Sequence, residues 1–163
     1  MTLAIRPAGP QDAAGCAAIY APFVEDSWVS FELDPPGEVE MARRIADYSA
    51  SHAWLVAERA GELAGYAYGS PHRARAAYAS SCDVAVYVAP GRARQGVGRA
   101  LYAELLERLK ARGFHAAFAG IALPNPASVG LHEAMGFTPV GTYREVGWKL
   151  GGWRDVGWWQ RVL

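Results

Sequence analysis

The chain has 163 residues, 52% hydrophobic and 20% charged, a balance that gives a globular domain with its own core and excludes a disordered segment. Sixteen basic and sixteen acidic residues cancel to a formal net charge of zero, which argues against a nucleic-acid binder built on phosphate contacts. No apolar run approaches the roughly 18 to 20 residues of a membrane span, and MTLAIRPAG lacks an apolar signal core, so a soluble cytoplasmic protein is expected.

Leu3 to Pro7 alternates apolar and polar residues and predicts a first strand, broken at Gly9-Pro10. Asp12 to about Val24 predicts a helix that buries Ile19 and Phe23, with Pro22 expected to kink or end it. Ser27 to Leu33 reads as an aromatic loop or short extended piece. After the Asp34–Gly37 turn, Glu38 to Tyr48 carries Met41, Ile45 and Tyr48 at helical spacing. Ala53–Glu58 and Leu63–Gly69 predict a hairpin turning at Arg59–Glu62. Pro71 to Tyr78 is a basic connector.

The next stretch, Cys82 to Lys110, organises the rest. A β-branched strand from about Ser81 to Val88 carries one acid, Asp83. It breaks at Pro90-Gly91, turns basic at Arg92 and Arg94, and passes Gly96-Val97-Gly98 into a helix from Gln95 to about Ala111. That helix places Val97, Leu101, Leu105 and Leu109 on one face and stops at Gly113. Ala116–Ile121 is a further strand. Asn125-Pro126 starts a short helix ended by Gly136, and Phe137–Tyr143 and Gly152–Val162 complete the sheet. The fold class is a mixed α/β sheet of about seven strands with about four helices, in the order β-α-α-β-β-β-α-β-α-β-β, as one domain over 1–163.

Cys16 and Cys82 are too far apart for a CxxC or metal-type pair, so buried free thiols in a reducing compartment and no metal site are expected. Four of six tryptophans, Trp148, Trp153, Trp158 and Trp159, crowd the last sixteen residues. Either that hairpin covers a groove or it packs against another subunit.

A strand, a basic glycine turn and a helix start form a seat for phosphate, because the first helical N–H groups lack internal acceptors and sit at the positive end of the dipole. The turn is no dinucleotide fingerprint, since Leu101 occupies the third glycine position of GxGxxG, and no GK[ST] follows for a Walker loop. Instead, Ala93–Gly98 resembles the pyrophosphate loop of the GNAT superfamily of acetyl-CoA-dependent N-acetyltransferases. The blocks at Phe31-Glu32, Glu38–Ile45, Gly65–Tyr78, Val86–Val88, Leu123–Phe137 and Val146–Gln160 resemble one subfamily, the phosphinothricin and methionine sulfoximine/sulfone acetyltransferases.

The resemblance implies acetyl-CoA as co-substrate, a small-molecule amine as acceptor, direct transfer in a ternary complex, and a homodimer. Val86, Tyr87 and Val88 would offer backbone groups to the pantetheine arm. Arg94, Gln95, Gly96, Val97, Gly98 and Arg99 would cradle the pyrophosphate, and Asn125 and Ser128 would lie near the thioester. Phe31, Glu32, Arg73, Arg75 and Tyr78 match positions of the substrate pocket. Asp83 stands where the subfamily has a glutamate general base, and His132 where the wider superfamily often has a tyrosine that protonates the thiolate.

Two positions depart from the pattern. Ala93 replaces the usual Gln or Arg, leaving backbone donors to hold the phosphates. Asp83 is one methylene shorter than glutamate, about 1.5 Å of reach, which favours proton removal through a bridging water. Each assignment has a simpler account beside it: a structural salt bridge for Asp83, packing for His132, a helix cap for Asn125, solvated loop charges for Arg73 and Arg75. Cys82 adjoins Asp83 on a strand, so the two should face opposite sides of the sheet, which argues against a cysteine nucleophile. A protein or peptide N-acetyltransferase and a non-catalytic acyl-CoA-binding domain remain as alternatives.

Overall fold

The sheet at the centre of the molecule is held by alternation in its strands and by two helical faces packed on either side. A computed structural model describes residues 2–163. The elements are β1 (Ala4–Pro7), α1 (Ala13–Glu25), α2 (Glu38–Ser51), β2 (Ala53–Arg59), β3 (Glu62–Pro71), β4 (Ser81–Val88), α3 (Val97–Ala111), β5 (Ala116–Leu123), α4 (Pro126–Ala134), β6 (Thr138–Lys149) and β7 (Gly152–Val162). The order of strands and helices is the one expected, and the strands lie in one sheet as β1-β2-β3-β4-β5-β7-β6. Every neighbouring pair is antiparallel except β4 and β5.

One face is covered by α3. Val97, Leu101, Leu105 and Leu109 are buried as their spacing predicts, against Leu55, Ala67, Cys82 and Val84 of the sheet. The other face carries α1 and α2, whose Ile19, Tyr20, Met41 and Ile45 pack on Trp54, Val56 and Tyr66. Cys82 therefore lies under α3 while Asp83 points to the α1/α2 side, where it lines a cavity. Both cysteines are buried free thiols, and burial pushes each up to about 12.

Several boundaries differ from the sequence reading, each for a local reason. Pro22 neither ends nor interrupts α1; the helix loses one donor there and continues to Glu25, with Asp26 N–H bonding the Pro22 carbonyl at 2.9 Å. β3 runs past Gly69, because Ser70 and Pro71 still pair with Asp83 and Cys82. β6 runs to Lys149, well beyond Tyr143. Its pairing with β7 breaks between Tyr143 and Gly147, where Glu145 adopts φ 51° and its N–H bonds Asp155 Oδ1 at 2.7 Å. That bulge reads as a strand end in the sequence but only re-aims the strand. The tight β2–β3 turn has positive φ at Ala60 and Gly61, and the β6–β7 turn at Leu150 and Gly151, the primed-turn geometry of two-residue hairpins.

Candidate active site

The site is a fork in the sheet. β4 and β5 pair only over Ser81–Asp83 and Ala116–Phe118, yet they extend to Val88 and Leu123. Ala89 N–H bonds Ala64 O on the β3 side at 2.8 Å, whereas His115 N–H bonds Ser80 O on the β5 side at 2.8 Å. Odd-numbered residues of β4 thus present their backbone to β3, and even-numbered ones to β5. Past Asp83 the Val84 carbonyl and the backbone of Val86 and Val88 face the open fork. The backbone of Tyr87, by contrast, belongs to the β3 ladder, and what Tyr87 brings to the site is its ring.

A narrow cleft of about 60 Å³ occupies the fork between Val86, Ile121 and the α4 residues Asn125, Ser128 and His132. It joins a cavity of about 670 Å³ on the α1/α2 face through the shared walls Val29, Val84, Ala85, Tyr87, Gly120 and Ala122. Asp83, the last β4 residue paired with β5, lines the larger cavity at the apex of the fork.

At the open end of β4, α3 begins at Val97, two residues after the predicted start, because Gly96 is its N-cap in the left-handed region at φ 78°. Gly91 (φ 82°) and Arg94 (φ 62°) share that conformation. The first helical bond is Ala100 N–H to Gly96 O at 3.0 Å, so the N–H groups of Val97, Gly98 and Arg99 have no helical acceptor. Gln95 staples the loop: its amide donates to Gly91 O at 3.3 Å and it accepts from Arg59 at 2.8 Å. Among the described residues, Arg94 and Arg99 form no ion pair, and both are exposed. Free N–H groups, a positive helix end and two unpaired guanidiniums suit a pyrophosphate.

On α4, Asn125 Oδ1 accepts from Ser128 N–H at 3.2 Å, so its side chain is a cap. His132 is buried. Its Nδ1 lies 2.7 Å from Ser128 O and its Nε2 2.8 Å from the Tyr102 hydroxyl. A carbonyl only accepts, so Nδ1 carries the proton and Nε2 accepts from Tyr102. Burial lowers the His132 pKa and favours this neutral form, with the Ser128 bond opposing. Both ring nitrogens of His132 are thus engaged within the protein, Nδ1–H on Ser128 O and Nε2 on the Tyr102 hydroxyl.

Asp83 Oδ1 lies 2.6 Å from His72 Nδ1, and Oδ2 has no partner among the described residues. Burial raises the Asp83 pKa above that of a free aspartate, opposed by the His72 hydrogen bond and the charges of His72 and Arg73. Its carboxylate is accordingly a better proton acceptor than a solvated one.

The cavity wall carries two of the predicted substrate residues, Phe31 and Glu32, but Glu32 has no spare oxygen. Arg44 binds it in a two-pronged pair at 2.6 and 2.9 Å, the Tyr20 hydroxyl donates to it, and its pKa is held below the usual carboxylate range chiefly by Arg44. Glu32 is thus part of the wall. Phe31 lies on Gly147, where a β-carbon would come within 2.4 Å of its ring. Buried Lys149 donates to Ser30 O at 2.6 Å and Glu32 O at 2.8 Å, tying this loop to the end of β6. Lys149→Met is expected to cost about 1–3 kcal/mol by stranding those carbonyls. A thermal melt should show the loss, and a raised KM for amine should show that the Phe31 loop has loosened.

Arg73, Arg75 and Tyr78 do not line the cavity; they are exposed on the connector after β3, with Arg73 bonded to His72 O at 2.9 Å. The residues that sequence reasoning missed are His72, Tyr102, Arg44 and Lys149. His72 was the one within reach: it continues the Tyr66, Tyr68, Ser70 alternation, and Ser70 pairs with Asp83.

Residues 20–137 match the acetyltransferase (GNAT) family. The chain is 43% identical to a phosphinothricin N-acetyltransferase of Streptomyces viridochromogenes, over 96% of this chain and 86% of that one. It is 34% identical to an L-methionine sulfoximine/L-methionine sulfone acetyltransferase of Pseudomonas paraeruginosa, over 100% and 96%. The crystal structure of a GNAT phosphinothricin acetyltransferase from Sinorhizobium meliloti in complex with acetyl-CoA superposes with a TM-score of 0.95 at 35% identity, covering 100% of this chain and 89% of that one. The forked sheet, the loop before α3 and these likenesses together place the chain in the GNAT acetyltransferase family.

Proposed function

We propose that the protein transfers the acetyl group of acetyl-CoA to the α-amino group of a small amino-acid analogue of the phosphinothricin or methionine sulfoximine/sulfone type. The observation that carries this reading is the position of Asp83, a carboxylate with one free oxygen at the apex of a fork whose arms offer backbone and phosphate seats. Acetyl-CoA lies with its pyrophosphate on the N–H groups of α3 and its arm along Val84, Val86 and Val88. The amine enters from the larger cavity, beside Phe31 and Tyr87. Its ammonium gives one proton to Asp83, and the freed lone pair attacks the thioester carbonyl. The C–N bond forms, the C–S bond breaks, and the thiolate leaves with a second proton from the nitrogen.

Mixing the protein with acetyl-CoA and an amine panel, and following free thiol, tests the reading. Turnover with methionine sulfone, methionine sulfoximine or phosphinothricin supports it. Turnover only with peptide amines favours a protein acetyltransferase, and tight CoA binding without turnover a sensor domain.

A homodimer formed through the β6–β7 hairpin belongs to the same proposal. Of its tryptophans, Trp158 lines the cavity and Trp159 is buried, but Trp148 and Trp153 are 58% and 60% exposed and edge-to-face at 5.1 Å. Val140, Val146 and Leu150 of the same hairpin are also more than half exposed. Light scattering at micromolar concentration should give twice the chain mass, and a Trp148→Glu, Trp153→Glu variant should run as a monomer. No helix among the described residues is long and apolar enough to cross a membrane, and two free buried thiols suit the cytoplasm.

A further inference from the structure

We propose that His72 is a positioning residue for acetyl transfer: its Nδ1–H fixes Asp83 with one carboxylate oxygen toward the fork. The inference rests on the acetyl-transfer reading above and assigns to it a residue outside the loop, the helix and the acid.

The placement is specific. Ser70 is the cross-strand partner of Asp83, and His72 lies two residues further along the same face. Its imidazole stacks on Phe118, the β5 residue in register with Asp83, with centroids 4.4 Å apart and planes 18° from parallel. The edges of Tyr78 and Trp158 close the remaining sides at 5.9 and 6.1 Å. The ring is held on three sides by aromatic groups, and its Nδ1 lies 2.6 Å from Asp83 Oδ1. Among the described residues, Nε2 has no hydrogen-bond partner.

The other groups around the pair among the described residues do not bond the Asp83 carboxylate. From the connector come Arg73, whose guanidinium bonds the His72 carbonyl, and the Tyr78 ring. β5 and β7 contribute Phe118 and Trp158, neither of which titrates. Cys82 lies behind the sheet under α3.

An aspartate alone is short for its task and free to rotate. A donor on Oδ1 removes that freedom and leaves Oδ2 to take the proton from the ammonium. After product leaves, Asp83 returns its proton to solvent, which balances the net release of one proton per acetylated ammonium.

Two variants test this in the full-length protein: His72→Phe, which keeps the stack and removes both nitrogens, and His72→Asn, which restores a donor for Oδ1. Plateau kcat and KM for methionine sulfone are measured for each, with thermal melting and CoA calorimetry as controls. His72→Phe should lose about tenfold or more in plateau kcat with KM and CoA affinity little changed. His72→Asn should recover most of the plateau rate. A folded His72→Phe with the wild-type kcat, or a folded His72→Asn no faster than His72→Phe, overturns the proposal; should His72→Phe fail to fold, His72→Leu takes its place in the comparison. If wild type acetylates no amine on the panel, the acetyl-transfer reading fails first, and this one with it.

Discussion

Asp83→Asn lowers kcat for amine acetylation by about a hundredfold or more and leaves acetyl-CoA affinity unchanged. The substitution keeps the shape of the side chain and removes its ability to take a proton. Because the backbone at Asp83 is held by Ser70 on one side and stays in register with Phe118 on the other, the fork itself should not move. In the proposed complex the cofactor arm lies beyond this residue, so calorimetry with CoA should give the wild-type value. Single-turnover rates separate the two effects. A variant that acetylates at the wild-type rate would remove Asp83 from the mechanism and leave the amine to lose its proton to bulk water. The raised pKa of the buried carboxyl also fixes the direction of the pH response. Activity is present when the carboxylate is ionised and falls as pH drops through its folded value, and the Asn variant has no such carboxyl step.

Gly96→Val raises the Kd for CoA by about tenfold or more. The cause differs between Gly96 and Gly98. A β-carbon on Gly96 would meet nothing within 4 Å. The obstacle is its φ of 78°, which a β-branched residue reaches only at a cost of about 1–3 kcal/mol. The chain would turn the loop out of that conformation and re-aim the free N–H groups proposed to hold the pyrophosphate. Gly98 is different: a β-carbon there would come 3.0 Å from Leu131 Cδ2, between α3 and α4. Gly98→Val should therefore depress the melting temperature as well as CoA affinity, whereas Gly96→Val should act mainly on affinity. Equal CoA affinity in Gly96→Val and wild type would show that the cofactor's phosphates sit elsewhere.

The order of elements was legible because period-2 and period-3.6 patterns survive in almost every segment, and the α3 stripe of Val97, Leu101, Leu105 and Leu109 is an instance. What was hidden depended on contacts between distant residues. Nothing near Lys149 in the sequence indicates that its amine reaches carbonyls at Ser30 and Glu32. Glu32 reads as a free acid until Arg44 and Tyr20 are seen to claim it. The connector arginines matched a substrate-pocket pattern, yet they stand outside the cavity wall, because Pro71 ends β3 and the chain turns away after His72. The His132 tautomer was invisible for a similar reason, since it needs Tyr102 from α3.

The fork leaves a signature in hydrogen exchange. In the ligand-free protein, the amides of Ala85 and Tyr87 are held in the β3 ladder and that of Val84 by the last β4–β5 pairing, while those of Val86 and Val88 open onto the gap. Along this one strand, fast and slow amides should alternate residue by residue. A pantetheine arm lying as an extra strand would slow only the fast set, so the alternation would fade on adding CoA. A single strand would then report, amide by amide, how the cofactor lies against it.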